Sequence, residues 1–482
     1  MTRPPFGFGP SDRPDEPEGN GDSDPFGLSA LFGGALFGGA PGSAGPGGFA
    51  SGPGGDVFAN LAQLMSWTGG PVNWDLAVQI ARAAVEAADA KPAGTEVGPE
   101  AGTEVGTGQT QAQAVADACR LADLWLDPLT TLPASAGQAL ALSRTEWIEM
   151  TLPAWKKLVE PVASRVVTAM GGAMGGVLGG GLAGIEGLPP EVADLLGADF
   201  DPQALNGVMA QVGGLVFGAQ VGQALGALAG EVLGLSEVGL PLAQGGRSGL
   251  LPANVAAFTE GLEIPADEVR LYLALREQAH QRLFAHVPWL TAHLFDAVDA
   301  YARGIEVDPQ VIERAVGSVD PNDPESLQNA LGQGLFDIEP TAAQTAALAR
   351  LETALALVEG WVDAVVDEAA SGPLPSAAAL RETLRRRRAA GGPAEQMFAT
   401  LVGLQLRPRR LREAAELWTQ VRNTRGMEGR DALWAHPDLL PGPDELDDPA
   451  GFLLRTASSE GDAATDWDAA LRDLGNPPAA ES

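Results

Sequence analysis

Two short stretches carry the residues whose types and spacing could do chemistry. In "LYLALREQAHQRLFAHVPWL", Leu271 to Leu290, the run Arg276-Glu277-Gln278-Ala279-His280 sets a cation and a histidine four residues apart, with a carboxylate between them. On a helix those positions share a face, one turn apart. Two histidines at that spacing hold a zinc ion, and a Glu beside the first takes a proton from the water bound to it. Arg276 stands where the first histidine would, and a guanidinium stays protonated and has no lone pair to give a metal. In "LVEGWVDAVVDEAA", Glu359 and Asp363 are again four residues apart, among apolar neighbours. Carboxylates on such a face point inward, and buried carboxylates require a cation or hydrogen-bond donors.

The elements that must position these groups read as helices. Pro265 followed by Ala266, Asp267 and Glu268 is a helix start, which puts Arg276 and His280 well inside. From Val57 onward apolar residues recur at helical spacing and alternating strand patterns are nearly absent, so the fold is expected to be mainly α with little β. Expected helices include "NWDLAVQIARAAVEAA", capped by Asn73, together with "TEWIEMTLPAWKKLVEPVASRVV", "PWLTAHLFDAVDAYARG" and "AAQTAALARLETALALVEGWVDAVVDEAA". The repeat "GTEVGPEAGTEVGTG" is expected to be a loop, because of its Gly and Pro content.

Val166 to Ile185 and Pro202 to Gly230 run without charge and carry glycine every fourth residue, for example Gly172, Gly176 and Gly180, then Gly214, Gly218, Gly222 and Gly226. A face stripped to backbone lets another helix come close, so these segments are expected to form a glycine-zipper pair. Glycine provides little apolar area, which argues for a buried pair rather than a membrane hairpin.

The formal charge of −33 excludes general affinity for nucleic acid or anionic lipid. The basic island Arg381 to Arg430, with "LRRRR" and "LRPRRLREA", has acidic residues interleaved and reads as a solvated helix face. One cysteine, Cys119, excludes an intrachain disulfide and a Cys-rich zinc site, and the first residues show no secretory pattern, so a cytoplasmic location is expected. Residues 1–55, rich in Gly and Pro, are expected to be a disordered arm, 56–455 a single domain, and 456–482 an acidic tail. There is no Gly-x-Ser-x-Gly elbow, phosphate loop or dinucleotide fingerprint.

Taken with "GGPVNWDLAVQIAR", "LVGLQLRPRRLREAAELW" and "RDALWAHPDLLP", the two stretches make the chain resemble the zincin-like metallopeptidase family of actinobacteria. The resemblance implies a zincin-like helical domain that hydrolyses peptide bonds, with His280 and Glu359 as zinc ligands, Glu277 as general base and Asp363 as a carboxylate orienting a ligand. It departs from the family at Arg276, where the motif requires His. If the two helices cross as the resemblance implies, Arg276 reaches Glu359 and Asp363 and supplies a built-in cation. Two functions follow: a zinc hydrolase, or a non-catalytic relative that serves as a scaffold or binds peptides. His286 lies six residues after His280, but Leu283 replaces the Gly that a three-histidine motif needs, and His293 and His436 stand alone.

Overall fold

The computed structural model describes residues 70–90, 104–180, 202–237, 239–243, 245–304, 341–389 and 410–455. The arm and tail expected at 1–55 and 456–482 lie outside these residues. The described chain is mainly helical, with one small sheet.

Helix α1, Trp74–Asp89, starts where the sequence places its cap: the Asn73 side chain accepts from the Leu76 N–H at 3.0 Å. Its buried face is Ala77, Ala81 and Val85. Helix α2, Glu104–Leu126, begins inside the second GTEVG repeat, so that repeat is not wholly a loop. A run of residues able to propagate a helix, "QTQAQAVADACRLADLWL", extends back through Gly106 and Gly108 at a cost of about 1 kcal/mol each. Helices α3, Arg144–Gly180, and α4, Pro202–Glu231, follow strand β1, Ala139–Ala141.

The glycine stripe of α4 serves a different neighbour from the one expected. A Cβ on Gly218 would lie 2.5 Å from the Asn73 carbonyl oxygen, one on Gly222 2.6 Å from that of Ala77, and one on Gly226 2.7 Å from the Ala84 Cβ. The stripe therefore seats α1, whose own small residues complete the close approach, and the Asn73 N–H donates to the Gly214 carbonyl at 2.8 Å. Against α3, α4 presents Gly213, where a Cβ would meet Val167 at 2.7 Å. Among the described residues no helix is long and apolar enough to cross a membrane.

Strand β2, Ser248–Leu250, pairs in parallel with β1, matching Leu140 with Gly249. The segment 233–235 closes its other edge: the Leu235 N–H donates to the Gly249 carbonyl at 3.1 Å and the Leu251 N–H to that of Leu233 at 3.0 Å. Beneath the sheet runs α6, Ala266–His286, which follows the short α5, Pro252–Thr259, and precedes α7, Leu290–Arg303. Against α6 lie α8, Ala342–Ala370, and α9, Ala377–Ala389, and α10, Leu411–Ala432, packs on the far side of α8. Gly360 explains that last contact, because a Cβ there would sit 2.6 Å from the Ala414 Cβ. Two 3-10 turns, α11, Pro443–Asp447, and a helical segment over 449–455 complete the described chain.

The centre of the fold is unusual in being polar. From Arg276 to Arg282 every residue of α6 is buried, although six of the seven are polar or charged. Each polar side chain therefore has to find partners on neighbouring elements.

The α1–α4 contact makes a direct prediction. Gly222→Val is expected to destabilise the protein by about 2 kcal/mol or more, because the added carbons have no room. Gly230→Ala, where a Cβ meets nothing within 4 Å, is expected to be neutral or stabilising by up to ~1 kcal/mol. Denaturant unfolding of both variants checks this, and equal effects would contradict the packing.

Candidate functional site

Helices α6 and α8 bring together four of the residues singled out in the sequence. The Arg276 guanidinium donates to Glu359 Oε2 at 2.7 Å, and its Nη1 lies 3.7 Å from Asp363 Oδ1. Both carboxylates are 3% exposed and Arg276 is 9% exposed. His280 bridges the same two helices, with Nε2 at 3.0 Å from Glu359 Oε1 and Nδ1 at 2.8 Å from the Arg276 carbonyl oxygen. Both ring nitrogens thus face oxygens that accept hydrogen bonds.

Helix α9 adds two cations. Arg385 donates to Asp363 Oδ2 at 2.5 Å, and Arg388 donates to Glu359 Oε2 and, at 2.9 Å, to the Glu237 carbonyl. These arginines belong to "LRRRR", so at Arg385 and Arg388 the basic run is not a solvated face. Their spacing of three, with Leu380 and Leu384 buried on the same helix, turns them toward the carboxylates. Arg386 keeps the expected solvated role and pairs with Glu382 at 2.8 Å. The loop after α4 approaches from above, where Gly239, at φ +77°, would place a Cβ 3.0 Å from Glu359 Oε1.

Glu277 lies on the sheet side of α6 and is held by four donors. The Ser236 N–H reaches Oε2 at 3.0 Å, while the Ser236 hydroxyl, the Gly249 N–H and Gln281 Nε2 reach Oε1 at 3.3, 3.2 and 3.3 Å. Ser236 and Gln281 drew no notice in the sequence, where neither stands in a motif. Burial pushes the Glu277 carboxyl up to about 7, against the downward pull of these hydrogen bonds. Glu359 moves the other way: despite burial, Arg388, His280 and Arg276 hold it well below the usual carboxylate range. A cavity of about 30 Å³, room for a water or two, opens between Gly234, Glu237, Arg276, Glu277, His280 and Arg388.

The remaining candidates lie elsewhere. His286 is exposed at the end of α6. His293 stacks edge-on against Trp289, and His436 accepts from the Asp438 N–H at 3.2 Å and caps a 3-10 turn. Cys119 is buried and its thiol is pushed up to about 12, which makes it inert.

The donor set does not fit a catalytic zinc ion. Such sites use three protein ligands, and only His280 and Glu359 have ligand chemistry at the expected positions. Each is already engaged, and the Arg276 guanidinium beside Glu359 repels a cation. Among the described residues no group of three or more His, Cys, Asp or Glu could hold a metal ion.

Comparison with known proteins bears on what this arrangement is for. The family model described as "Zincin-like metallopeptidase" matches residues 72–453. A crystal structure from Chloroflexus aurantiacus, of a protein provisionally described as a hydrolase with a novel fold, covers 80% of this chain and 99% of its own at 20% identity and a TM-score of 0.49. No curated protein matches.

The two buried glutamates predict opposite pH dependences. Glu277 is neutral in folded and unfolded chains below its ordinary value of 4.5, and as pH rises toward about 7 the unfolded chain ionises first. Its contribution to stability is therefore full in acid and falls between those values, by on the order of 3 kcal/mol. The Glu359 contribution is present above the ordinary Glu range and is lost as pH falls toward its depressed pKa. Unfolding midpoints measured from pH 5 to 8 are expected to fall less steeply with rising pH in Glu277→Gln than in the unsubstituted protein. Parallel curves would contradict the burial of an ionisable Glu277.

Proposed function

The chain belongs to the zincin-like metallopeptidase family, and from that premise we propose that it is a metal-free, non-cleaving member that binds peptide or protein partners. The observation that carries this reading is the Arg276–Glu359 ion pair at 2.7 Å. The family usually binds zinc. Here a guanidinium occupies the position of the first ligand and neutralises the carboxylate that would have been another. Arg388 engages the same Glu359 oxygen, and Arg385 engages Asp363. A free zinc ion would have to expel two guanidiniums from Glu359 and break the His280–Glu359 contact, and would recover only two protein ligands.

One observation favours a second reading, a hydrolase. Glu277 keeps the family position of the general base beside a water-sized cavity, and its carboxyl is shifted into the range where a base works at neutral pH. Peptide hydrolysis lost in Glu277→Gln would support that reading over the first.

Metal content separates them. Protein purified and dialysed against zinc-free buffer is expected to retain no stoichiometric zinc and to leave peptide substrates intact. Arg276→His alone is expected to bind zinc weakly, because Arg388 still holds Glu359, and Arg276→His with Arg388→Ala is expected to bind it more tightly. Stoichiometric zinc in the unsubstituted protein, lost in His280→Ala, would overturn the proposal. A folded double variant that ignores zinc would instead show that these positions do not correspond to the family's metal centre.

A further inference from the structure

A second cavity, about 310 Å³, lies between α3, α6, α7 and the residues Pro241, Ala243, Gly245 and Gly246, and none of the cleft's paired charges lines it. That volume is in the range that accepts a small ligand, roughly 300–1,000 Å³. Its walls combine two half-buried rings, Phe284 and Phe295, with Lys157, Thr291 and Gln281. Its floor includes Gly246 at φ +64°, whose carbonyl is fixed by the Ser135 hydroxyl at 2.5 Å.

Gln281 is the informative residue. It is 3% exposed, and its Nε2 donates to Ser236 Oγ at 2.8 Å and to Glu277 Oε1 at 3.3 Å. In this arrangement the amide N–H groups face Ser236 and Glu277, and the carbonyl points away from them. The carbonyl Oε1, at the other end of the same planar group, has no hydrogen-bond partner among the described residues, and Gln281 lines this cavity. That oxygen is not one of the sealed atoms of the interior but opens onto the cavity, where a ligand N–H could donate to it. The Lys157 ammonium, at the mouth, likewise has no ion-pair partner among the described residues. It is one of only three lysines in the chain, the other 27 of the 30 basic residues being arginine.

An acceptor in the wall, a cation at the rim and two rings between them define a complementary ligand. We propose that this cavity binds the carboxylate end of an acylated apolar amino acid, the chemistry of a peptide's C-terminal residue. The carboxylate meets Lys157, the amide N–H meets Gln281 Oε1, and the apolar side chain lies against Phe284 and Phe295. Because the Gln281 amide also holds Glu277 and Ser236, an occupant here touches a residue that the cleft shares. The inference stands on the cavity and not on the absence of metal, so its failure would leave the reading of the cleft intact.

Titration calorimetry of the full chain tests it with three ligands: N-acetyl-phenylalanine, the peptide Ala-Ala-Phe with a free carboxylate, and N-acetyl-phenylalanine amide. The two acids are expected to bind and the amide to bind about tenfold or more weakly. Tighter binding of the peptide assigns the site to a chain terminus, and equal binding to a free acyl amino acid. Lys157→Met is expected to remove the preference for acid over amide, and Thr291→Trp, which fills the cavity, to abolish binding. No binding of either acid by the unsubstituted protein, equal binding of acid and amide, or unchanged binding in both variants would overturn the proposal.

Discussion

Two carboxylates one turn apart on a buried helix are the constraint around which this molecule is built. Glu359 and Asp363 are each 3% exposed, and each charge taken from water into the interior costs several kcal/mol unless it is matched. The match comes from two directions. Arg276 and His280 arrive along α6, and Arg385 and Arg388 arrive from α9, so a single electrostatic requirement ties three helices together. Removing one guanidinium would leave a buried carboxylate short of a partner, and breaking such a pair typically costs about 3–5 kcal/mol. A chain with formal charge −33 has few cations to distribute, and it concentrates three arginines at this point.

The same helix distributes polar contacts to the rest of the interior. Gln278 donates to the Ser248 hydroxyl at 3.1 Å, and Arg282 donates to the Leu132 carbonyl at 3.0 Å and to Asp123 and Asp127 at 2.9 and 2.7 Å. Sheet, loop and helix α2 are thereby keyed to α6 by partners that a slipped packing would leave unsatisfied. A second buried network does the same for α8 and α10: Asp431 accepts from Trp361 Nε1 at 3.0 Å, Thr130 Oγ1 at 2.7 Å and Arg430 Nε at 2.7 Å.

Much of this was legible in the sequence, and the exceptions have physical reasons. Helical periodicity and the Asn73 cap gave the mainly helical fold, since both are local. Spacing put Arg276 with His280 on one face and Glu359 with Asp363 on another, but only the family resemblance said that the two faces meet. Arg385 and Arg388 were hidden because arginines among interleaved glutamates normally stay in water, and the pull of two distant buried carboxylates has no local signature. The glycines of α4 announced a close approach without naming the partner: bare backbone admits any small-residue helix, and α1 supplied the alanines.

The account's central claim is that a guanidinium fixed in the chain occupies the place of a metal ion. Anomalous scattering at the zinc absorption edge, from crystals of the unsubstituted protein grown with excess zinc chloride, tests it most directly. The account predicts no peak between His280 Nε2 and Glu359 Oε1, with the Arg276 guanidinium in density across Glu359 and Asp363. A peak about 2.0–2.2 Å from both ligand atoms, with Arg276 swung aside, would contradict it.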